Sequence, residues 1–217
     1  MDKCQRIGHG GASAIAPANT LASFDAARAV GVDMIEFDVR ERRGELVLAH
    51  TVLDAYVGRS IPLRDALNHL AGVEFHGIDL NVDLKHVGTE RLLLDELRRA
   101  ELLDRTLISS QVTAVLDRVR ALEPRARVGI SVGGKLPRFC HRWGDWRALV
   151  LAGLAARRWD ALMAQHRLID AGLLEAVCAR GGRLYAWTVN DRSGIESLRG
   201  LGVHGITTAD PRLFAPG

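Results

Sequence analysis

The chain has 217 residues, of which 47% are hydrophobic and 25% charged, and its net charge is +3 at neutral pH. This composition is typical of a globular protein. No block of lysine and arginine is present, which argues against a nucleic-acid-binding tail. The three cysteines are odd in number and form no Cys-x-x-Cys pair, which argues against a disulfide framework or a structural zinc site.

The N-terminal stretch, MDKCQRIGHGG, lacks the apolar run of a signal peptide. The longest apolar stretch, ALVLAGLAA, is too short to cross a bilayer. We therefore expect a soluble, cytoplasmic protein with no transmembrane segment. Because no linker rich in proline or serine divides the chain, we expect residues 1–217 to form one domain.

Short apolar strands alternate with amphipathic helices along the chain. The first half predicts strand QRIGHGG, helix TLASFDAARAVG, strand MIEFDV, a brief extra strand ELVLAH, helix PLRDALNHLAG, strand GIDLNVDLK and helix TERLLLDELRRAELL. Thr20 or Asn19 can cap the first helix, and Gly31 can end it. The second half predicts strand TLISS, helix VTAVLDRVRALEP, strand RVGISV, helix WRALVLAGLAARR, strand ALMAQ, helix DAGLLEAVCARGG, strand RLYAWTVN, helix RSGIESLRGLG and strand GITT.

Without ELVLAH, the pattern contains eight strands separated by helical segments. Repeated βα units indicate an α/β fold with a parallel sheet and right-handed crossovers. Eight such units favour a single (β/α)₈ TIM barrel, here with a short extra β-strand after strand two. An open, doubly wound sheet is the alternative.

Two of the predicted strands carry polar side chains on one face. Glu36, Asp38 and Arg40 alternate with apolar residues in strand two and just beyond it, and Asp83 and Lys85 share a face of GIDLNVDLK. Parallel strands are seldom wet on either face, so we expect these polar groups inside the barrel, at the mouth formed by the carboxyl ends of the strands. A solvated outer face is the alternative.

The carboxylates of Glu36, Asp38 and Asp83 are candidates for one cluster. Crowded carboxylates are stabilised by a hard divalent cation such as Mg²⁺ or Ca²⁺, which prefers oxygen ligands. Lys85 beside such a site suits an anionic substrate, and phosphate is the usual one.

Two histidines end predicted strands at the same rim. His9 lies in GHGG, and His50 ends LVLAH. Two imidazoles that face each other across a metal-bound phosphate can act as general base and general acid. A structural role for either histidine is the alternative. His86 and His166 also lie near predicted strand ends.

The ordered series GHGG, PANT, IEFDV, LVLAH, VDLK, AWTVN and GITTADP resembles the glycerophosphodiester phosphodiesterases, from Ile7 to Pro211. The resemblance implies a metal-dependent (β/α)₈-barrel hydrolase that converts glycerophosphodiesters to an alcohol and sn-glycerol 3-phosphate, as part of lipid and glycerol metabolism. By position it implies catalysis for two histidines, metal binding for three carboxylates, and substrate contacts for a lysine and an aromatic residue: His9 and His50; Glu36, Asp38 and Asp83; Lys85 and Trp187.

Four positions depart from the family's usual pattern. Gly10 and Ala18 replace an arginine and a glutamate, Thr51 replaces the aspartate after the second histidine, and Asp83 replaces a glutamate. The missing arginine normally helps to hold the phosphate, and its loss removes a charge-assisted contact worth about 1.5–3 kcal/mol. Arg40, on the predicted inward face of strand two, is expected to compensate in part by binding substrate.

The family often inserts a small subdomain after the second histidine. Here His50 leads within a few residues to IPLRDAL, which resembles the family's next helix. The insertion is therefore expected to be nearly absent.

Two other functions stay open. The sphingomyelinase-D-like branch of the superfamily also uses aspartate with lysine two residues on, which suggests a lysophospholipid or another phosphodiester as substrate. Alternatively, Gly10 and Ala18 suggest a weakened barrel that binds a phosphate ester without turnover. The expected partner is a small-molecule phosphodiester rather than nucleic acid, and both a monomer and a homodimer fit the sequence.

Residues 135–150, KLPRFCHRWGDWRALV, combine basic and aromatic side chains. On the active face, such a loop could meet phospholipid head groups. A helix-packing edge is the commoner meaning of the same pattern. We therefore expect no more than a weak contact with a membrane surface.

Overall fold

The computed structural model describes residues 3–58, 60–133 and 143–215. Within these ranges the strands are β1 Gln5–Gly8, β2 Met34–Arg42, β3 Glu45–Leu48, β4 Asp79–Leu84, β5 Thr106–Ser110, β6 Arg127–Val132, β7 Ala161–Gln165, β8 Arg183–Trp187 and β9 Gly205–Thr208. The helices are α1 Leu21–Val30, α2 Val52–Val57, α3 Leu63–Leu70, α4 Glu90–Arg99, α5 Thr113–Leu122, α6 Trp143–Ala155, α7 Ala171–Cys178 and α8 Arg192–Leu201. The part of the predicted head-group contact at residues 135–142 lies outside the described residues.

Eight parallel strands close into a barrel. β1 pairs with both β2 and β9, and the other strands pair with their neighbours around the ring. β3 is antiparallel to β2 and lies outside the ring. The predicted (β/α)₈ barrel with a short extra strand is therefore confirmed, and the doubly wound sheet is excluded.

Apolar side chains fill one end of the barrel interior. The members of this buried cluster are Ile7, Met34, Leu107, Ala161, Met163 and Tyr185. A larger core lies between the outer faces of the strands and the helices, where the rings of Phe24 and Phe37 lie 5.4 Å apart. The amino-terminal end of the barrel is thus closed, and the polar side chains of β2 and β4 lie nearer its carboxyl end.

The strands β2 and β3 form a hairpin that extends past the ring. Its two-residue turn has positive φ angles at Arg43 (54°) and Gly44 (84°), which is the backbone of a type I′ turn. The chain then returns to the barrel, where the amide of Ala49 donates a hydrogen bond to the carbonyl of Asp38 at 3.1 Å. This return path brings His50 to the barrel mouth.

The loop between β1 and α1 packs tightly against the helix that follows it. Thr20 caps α1 and forms a capping box with Ser23, and Gly31 ends the helix at a φ of 83°, as predicted. Gly11 has a φ of 85°, and a Cβ there would lie 2.4 Å from the Ser23 Oγ. Position 11 therefore requires glycine.

Helix α2 is an element that the sequence pattern does not predict. It begins with a capping box, in which the Thr51 amide donates to the Asp54 carboxylate at 2.8 Å and the Asp54 amide donates to the Thr51 hydroxyl at 3.1 Å. Ala55 is buried. Arg42 anchors the helix to β2, because its Nη1 donates hydrogen bonds to the Ala55 carbonyl at 3.3 Å and to the Ser60 hydroxyl at 2.8 Å.

Among the residues that the structure describes, the helices are all too short or too polar to cross a membrane.

The packing of α6 gives a stability test. Trp159 is almost fully buried, and a Cβ at Gly153 would lie 2.3 Å from its ring. Replacing glycine by alanine inside a helix normally stabilises by about 1 kcal/mol, but overpacking costs about 1–3 kcal/mol. We expect Gly153→Ala to lower the free energy of unfolding by up to about 2 kcal/mol, measured by urea denaturation.

Gly200→Ala in α8 is the matched control, since a Cβ there meets no atom within 4 Å. This control is expected to leave stability unchanged or to raise it. A Gly153→Ala protein as stable as the control would contradict the close helix–ring contact.

Candidate active site

A cavity opens at the carboxyl ends of the strands. Its lining includes seven of the eight predicted site residues: His9, Glu36, Asp38, His50, Asp83, Lys85 and Trp187. The eighth, Arg40, lies outside this lining, and its Nε donates a hydrogen bond to the carbonyl of His50 at 2.9 Å. A substrate contact for Arg40 therefore stays a prediction.

Strand register brings the three carboxylates together. β2 pairs with β4 so that Asp38 lies beside Asp83, one step closer to the mouth than Glu36. One oxygen from each of the three residues lies within 4.8 Å of the others, and all three side chains are largely buried. Such a set of oxygen donors matches what Mg²⁺ or Ca²⁺ requires.

Burial makes the negative charge of this cluster costly. It raises the pKa of Glu36 well above the ordinary value, and the neighbouring Asp38 carboxylate adds to the rise. Burial also raises the pKa of Asp83, whose Oδ1 has no hydrogen-bond partner among the described residues. Unpartnered buried oxygen atoms beside other carboxylates are what a bound cation would satisfy, so the residues present fit a divalent metal.

Lys85 supplies a positive charge inside the cluster. Its Nζ lies 2.5 Å from Asp38 Oδ1 and also contacts the carboxylate of Asp83. Burial would lower the pKa of Lys85, but the attraction of the nearby carboxylates outweighs burial and raises it. The ammonium group therefore stays charged over the whole neutral range.

Asp38 connects most of the site. It accepts hydrogen bonds from Asn19 Nδ2 at 3.0 Å and lies 3.1 Å from His50 Nδ1, in addition to its contact with Lys85. Burial alone would raise the pKa of Asp38, but these contacts together lower it. Asp38 is consequently an ionised carboxylate that fixes the orientation of the His50 ring.

Asn19, for which the sequence pattern predicts only a possible helix cap, supports the acidic cluster through Asp38. Its backbone is left-handed, with a φ of 60°. In this conformation its Oδ1 accepts from the Asp38 amide at 3.0 Å while its Nδ2 donates to the Asp38 carboxylate. Asn19 thus clamps both the backbone and the side chain of Asp38.

The two histidines occupy different electrostatic environments. The hydrogen bond to Asp38 is the main cause of a raised pKa at His50. Burial is the main cause of a lowered pKa at His9, although the Asp38 charge opposes it. The two environments therefore favour the charged imidazole more at His50 than at His9.

Other inward-facing residues complete the lining: Asn81, Ser109, Gln111, Ser131, Met163 and Thr207. The period-two alternation of the strands marks most of these positions, but the sequence pattern alone assigns them no role. Asn81 is buried, pairs in register with Glu36, and has an Oδ1 without a partner in the described part of the chain. His86 and His166 are absent from the lining, and His166 bonds through Nδ1 to the Thr188 carbonyl at 3.1 Å.

Trp187 forms one wall of the cavity. It packs over Gly133, where φ is 138° and a Cβ would lie 3.1 Å from the indole ring. Its Nε1 is buried and has no partner among the described residues. An aromatic face with one free donor suits a substrate platform.

Two departures from the family pattern, Gly10 and Ala18, are neighbours in space. A Cβ at position 10 would lie 2.9 Å from the Cβ of Ala18. The amide of Gly10 nevertheless donates to Glu36 Oε2 at 2.9 Å. The backbone of this loop therefore still serves the acidic cluster, although the charged side chains usual at both positions are missing.

Comparisons with known proteins agree with this geometry. A sequence model described as the Glycerophosphoryl diester phosphodiesterase family matches residues 9–100 and 89–213. The glycerophosphodiester phosphodiesterase of Caldanaerobacter subterraneus subsp. tengcongensis is 27% identical over 94% of this chain and 93% of its own length.

Solved structures show the same fold. A glycerophosphodiester phosphodiesterase from Agrobacterium tumefaciens superposes with a TM-score of 0.77 and 22% identity, covering 100% of both chains. An Oleispira antarctica phosphodiesterase in complex with the product sn-glycerol-3-phosphate also gives 0.77 and 22%, over 96% of this chain and 94% of that one. Since the family model spans nearly the whole chain, the protein belongs to the glycerophosphoryl diester phosphodiesterase family and is an enzyme of that family, a phosphoric diester hydrolase.

Proposed function

We propose that this protein hydrolyses glycerophosphodiesters to an alcohol and sn-glycerol 3-phosphate in a reaction that depends on a divalent metal, with residues 1–217 acting as one catalytic domain. The observation that supports it best is the cluster of three buried carboxylates beside Lys85, in a cavity that two histidines also line. The family match and the product held by the Oleispira antarctica relative support the substrate class.

Glu36, Asp38 and Asp83 would hold the metal. When bound, Mg²⁺ or Ca²⁺ would supply Lewis-acid chemistry at a phosphoryl oxygen. Hydrogen bonds from the β1–α1 loop would position these ligands: the Gly10 amide donates to Glu36, and Asn19 Nδ2 donates to Asp38. Such partners orient metal ligands and raise their affinity.

Lys85 would bind and neutralise the phosphate. Its ammonium group is held at the mouth of the acidic cluster by Asp38 and Asp83. A charge fixed in this way needs no reorganisation when negative charge develops on the phosphoryl oxygens. Trp187 would lie against the organic part of the substrate.

The histidines would move the protons. His9, whose burial favours the neutral ring, would accept the proton of the attacking hydroxyl group. His50 is bound to Asp38 through Nδ1, which leaves Nε2 as the atom that donates a proton to the leaving alcohol oxygen. The resemblance to the family suggests that the substrate's own glycerol hydroxyl attacks first.

The alternatives differ in substrate or in turnover. Activity on lysophosphatidylcholine but not on glycerophosphocholine would favour the lysophospholipid substrate that the pair Asp83 and Lys85 suggests. A barrel that binds phosphate esters without turnover is disfavoured, because His9, His50 and Lys85 all line the same cavity as the carboxylates.

The metal requirement has a direct test. With Mg²⁺ or Ca²⁺ and glycerophosphocholine, we expect release of sn-glycerol 3-phosphate, and EDTA should reduce it to background until metal is restored. Asp83→Ala should weaken metal binding in calorimetry by at least about tenfold, since it removes one of three charged ligands. Asp104→Ala, on an exposed turn at the other end of the barrel, is the control. Turnover that persists in EDTA would refute the metal requirement.

The pH profile tests the two histidines. The raised pKa of His50 preserves its charged form to higher pH, so activity should fall on the alkaline side as pH rises through that pKa. The lowered pKa of His9 preserves its neutral form to lower pH, so activity should fall on the acidic side as pH drops through that pKa. We expect kcat/KM to be bell-shaped around the ordinary histidine value of about 6.5.

Variants assign the two limbs of this profile. His50→Gln should remove the alkaline limb and His9→Gln the acidic limb, each with a loss of about 10²–10⁴ in rate. An alkaline limb that survives unchanged in His50→Gln would show that His50 is not the proton donor.

The clamp on Asp38 gives another test. Asn19→Ala should reduce metal affinity and kcat/KM by about 10–100-fold, as expected for a residue that orients a metal ligand. Asn19→Gly separates this effect from backbone strain, because glycine adopts the left-handed conformation freely but lacks the amide. Asn68→Ala on α3 is a surface control. If Asn19→Gly binds metal like the wild-type protein, the amide is not needed to position Asp38.

A further inference from the structure

Exposed apolar side chains are concentrated on α2. Large apolar side chains exposed to solvent number ten in the described residues, and four of them lie on this six-residue helix: Val52, Leu53, Tyr56 and Val57. Their exposures run from 53% for Tyr56 to 77% for Val57. Single exposed apolar residues are ordinary, but a contiguous group usually marks an interaction site.

The apolar group lies at the mouth of the active-site cavity. α2 begins two residues after His50, which lines the cavity, and Asp54 of α2 lines a surface groove together with residues of the β1–α1 loop. Three more of the ten exposed side chains lie in loops that follow strands at this same face: Ile15, Val87 and Val112. Seven of the ten therefore surround the mouth, while Val73 lies at the opposite end of the barrel, in the turn before β4.

Arginine side chains without a carboxylate partner in the described part of the chain also lie on this face, and its aspartates accept backbone hydrogen bonds. Asp54 is the acidic residue of α2, and its carboxylate is occupied by the Thr51 amide. Arg43, at the tip of the hairpin that projects from the mouth, and Arg167, in the turn after β7, are exposed and have no carboxylate partner among the described residues. Asp170 and Asp191, on the same face, are occupied in capping α7 and α8.

We propose that the active-site face docks on the surface of a phospholipid bilayer, with the apolar side chains of α2 in the interface and Arg43 and Arg167 against lipid phosphates. Apolar side chains and arginines exposed on one face match the boundary between acyl chains and head groups. Arg43 and Arg167, exposed and unpaired among the described residues, favour a surface of lipid phosphates over a second copy of the chain. Docking goes beyond the proposed hydrolysis, since it needs no catalytic step.

The helix is built to present these side chains stably. Ala55 is buried beneath α2, and Arg42 bonds to the carbonyl of Ala55 and to Ser60. The opposite side of the helix therefore faces solvent in a fixed orientation. Removing its apolar groups should change surface affinity without changing the fold.

The experiment measures co-sedimentation of the purified full-length chain with sucrose-loaded vesicles. One set contains phosphatidylcholine alone, and the other also contains phosphatidylglycerol. Wild-type protein should bind both sets, with tighter binding to the anionic vesicles that weakens as salt rises. The double variant Leu53→Asn/Val57→Asn should lower the partition coefficient for both by about tenfold. Arg43→Gln should lower only the preference for anionic vesicles.

The matched controls come from the chain itself. Val57→Asn is compared with Val73→Asn, since the two valines are exposed to 77% and 75% but lie at opposite ends of the barrel. Only Val57→Asn should weaken vesicle binding. Both variants should keep the melting temperature and the hydrolysis of water-soluble glycerophosphocholine. His9→Ala should still bind vesicles, which separates failure of docking from failure of the proposed hydrolysis.

Three outcomes would overturn the proposal. The first is wild-type protein that binds neither vesicle set at low salt. The second is equal vesicle binding by Val57→Asn and Val73→Asn. The third is a concentration-dependent dimer in ultracentrifugation that Val57→Asn abolishes, in a wild-type protein that does not bind vesicles, since this would make a second copy the occupant.

Discussion

The site depends on burying three carboxylates in one cluster. The register of β2 against β4 makes this unavoidable, because Asp38 and Asp83 are direct neighbours on the inward face and Glu36 lies one step deeper. Buried like charges repel strongly, so the surrounding chain must supply positive charge and hydrogen-bond donors. Lys85 and Asn19 do so from separate elements. A shift of one residue in the register of the sheet would turn inward side chains to the opposite face and would separate these groups from the carboxylates.

The same constraint explains how the β1–α1 loop tolerates its unusual sequence. The loop contributes to the cluster through a backbone amide at Gly10 and through the amide side chain of Asn19, and neither contact needs a charge at positions 10 or 18. The glycine and Ala18 are in contact, so losing the arginine and losing the glutamate are a single packing change in this loop. What changes is the space and charge beside the cavity, while the support of the acidic cluster is preserved.

The eight repeated βα units were sufficient to predict the barrel, and alternation along β2 and β4 was sufficient to predict the acidic cluster and Lys85. Both rest on local or topological rules: a strand's period of two and the closure of parallel sheets. Asn19 could not be predicted as a clamp, since its role depends on a left-handed backbone and on a contact with a strand nineteen residues away. Arg40 shows the converse, because alternation predicts an inward side chain there. At this end of β2 the strand extends beyond the barrel, and pairing with β3 replaces pairing with β4. Alternation therefore predicts the inward face only for residues that pair within the barrel.

Helix α2 was missed for a related reason. A six-residue helix with only Ala55 buried has no apolar stripe directed at the core, although Thr51 and Asp54 have the spacing of a capping box. Its apolar residues resemble core residues in the sequence, yet they face outward because Arg42 and the β2–β3 hairpin occupy the space beneath them. In a chain that lacks the family's usual subdomain after His50, this helix is what the protein places beside its catalytic mouth. A surface of that kind costs the fold little, because it takes no part in the core, and it is therefore free to contact another surface beside the cavity.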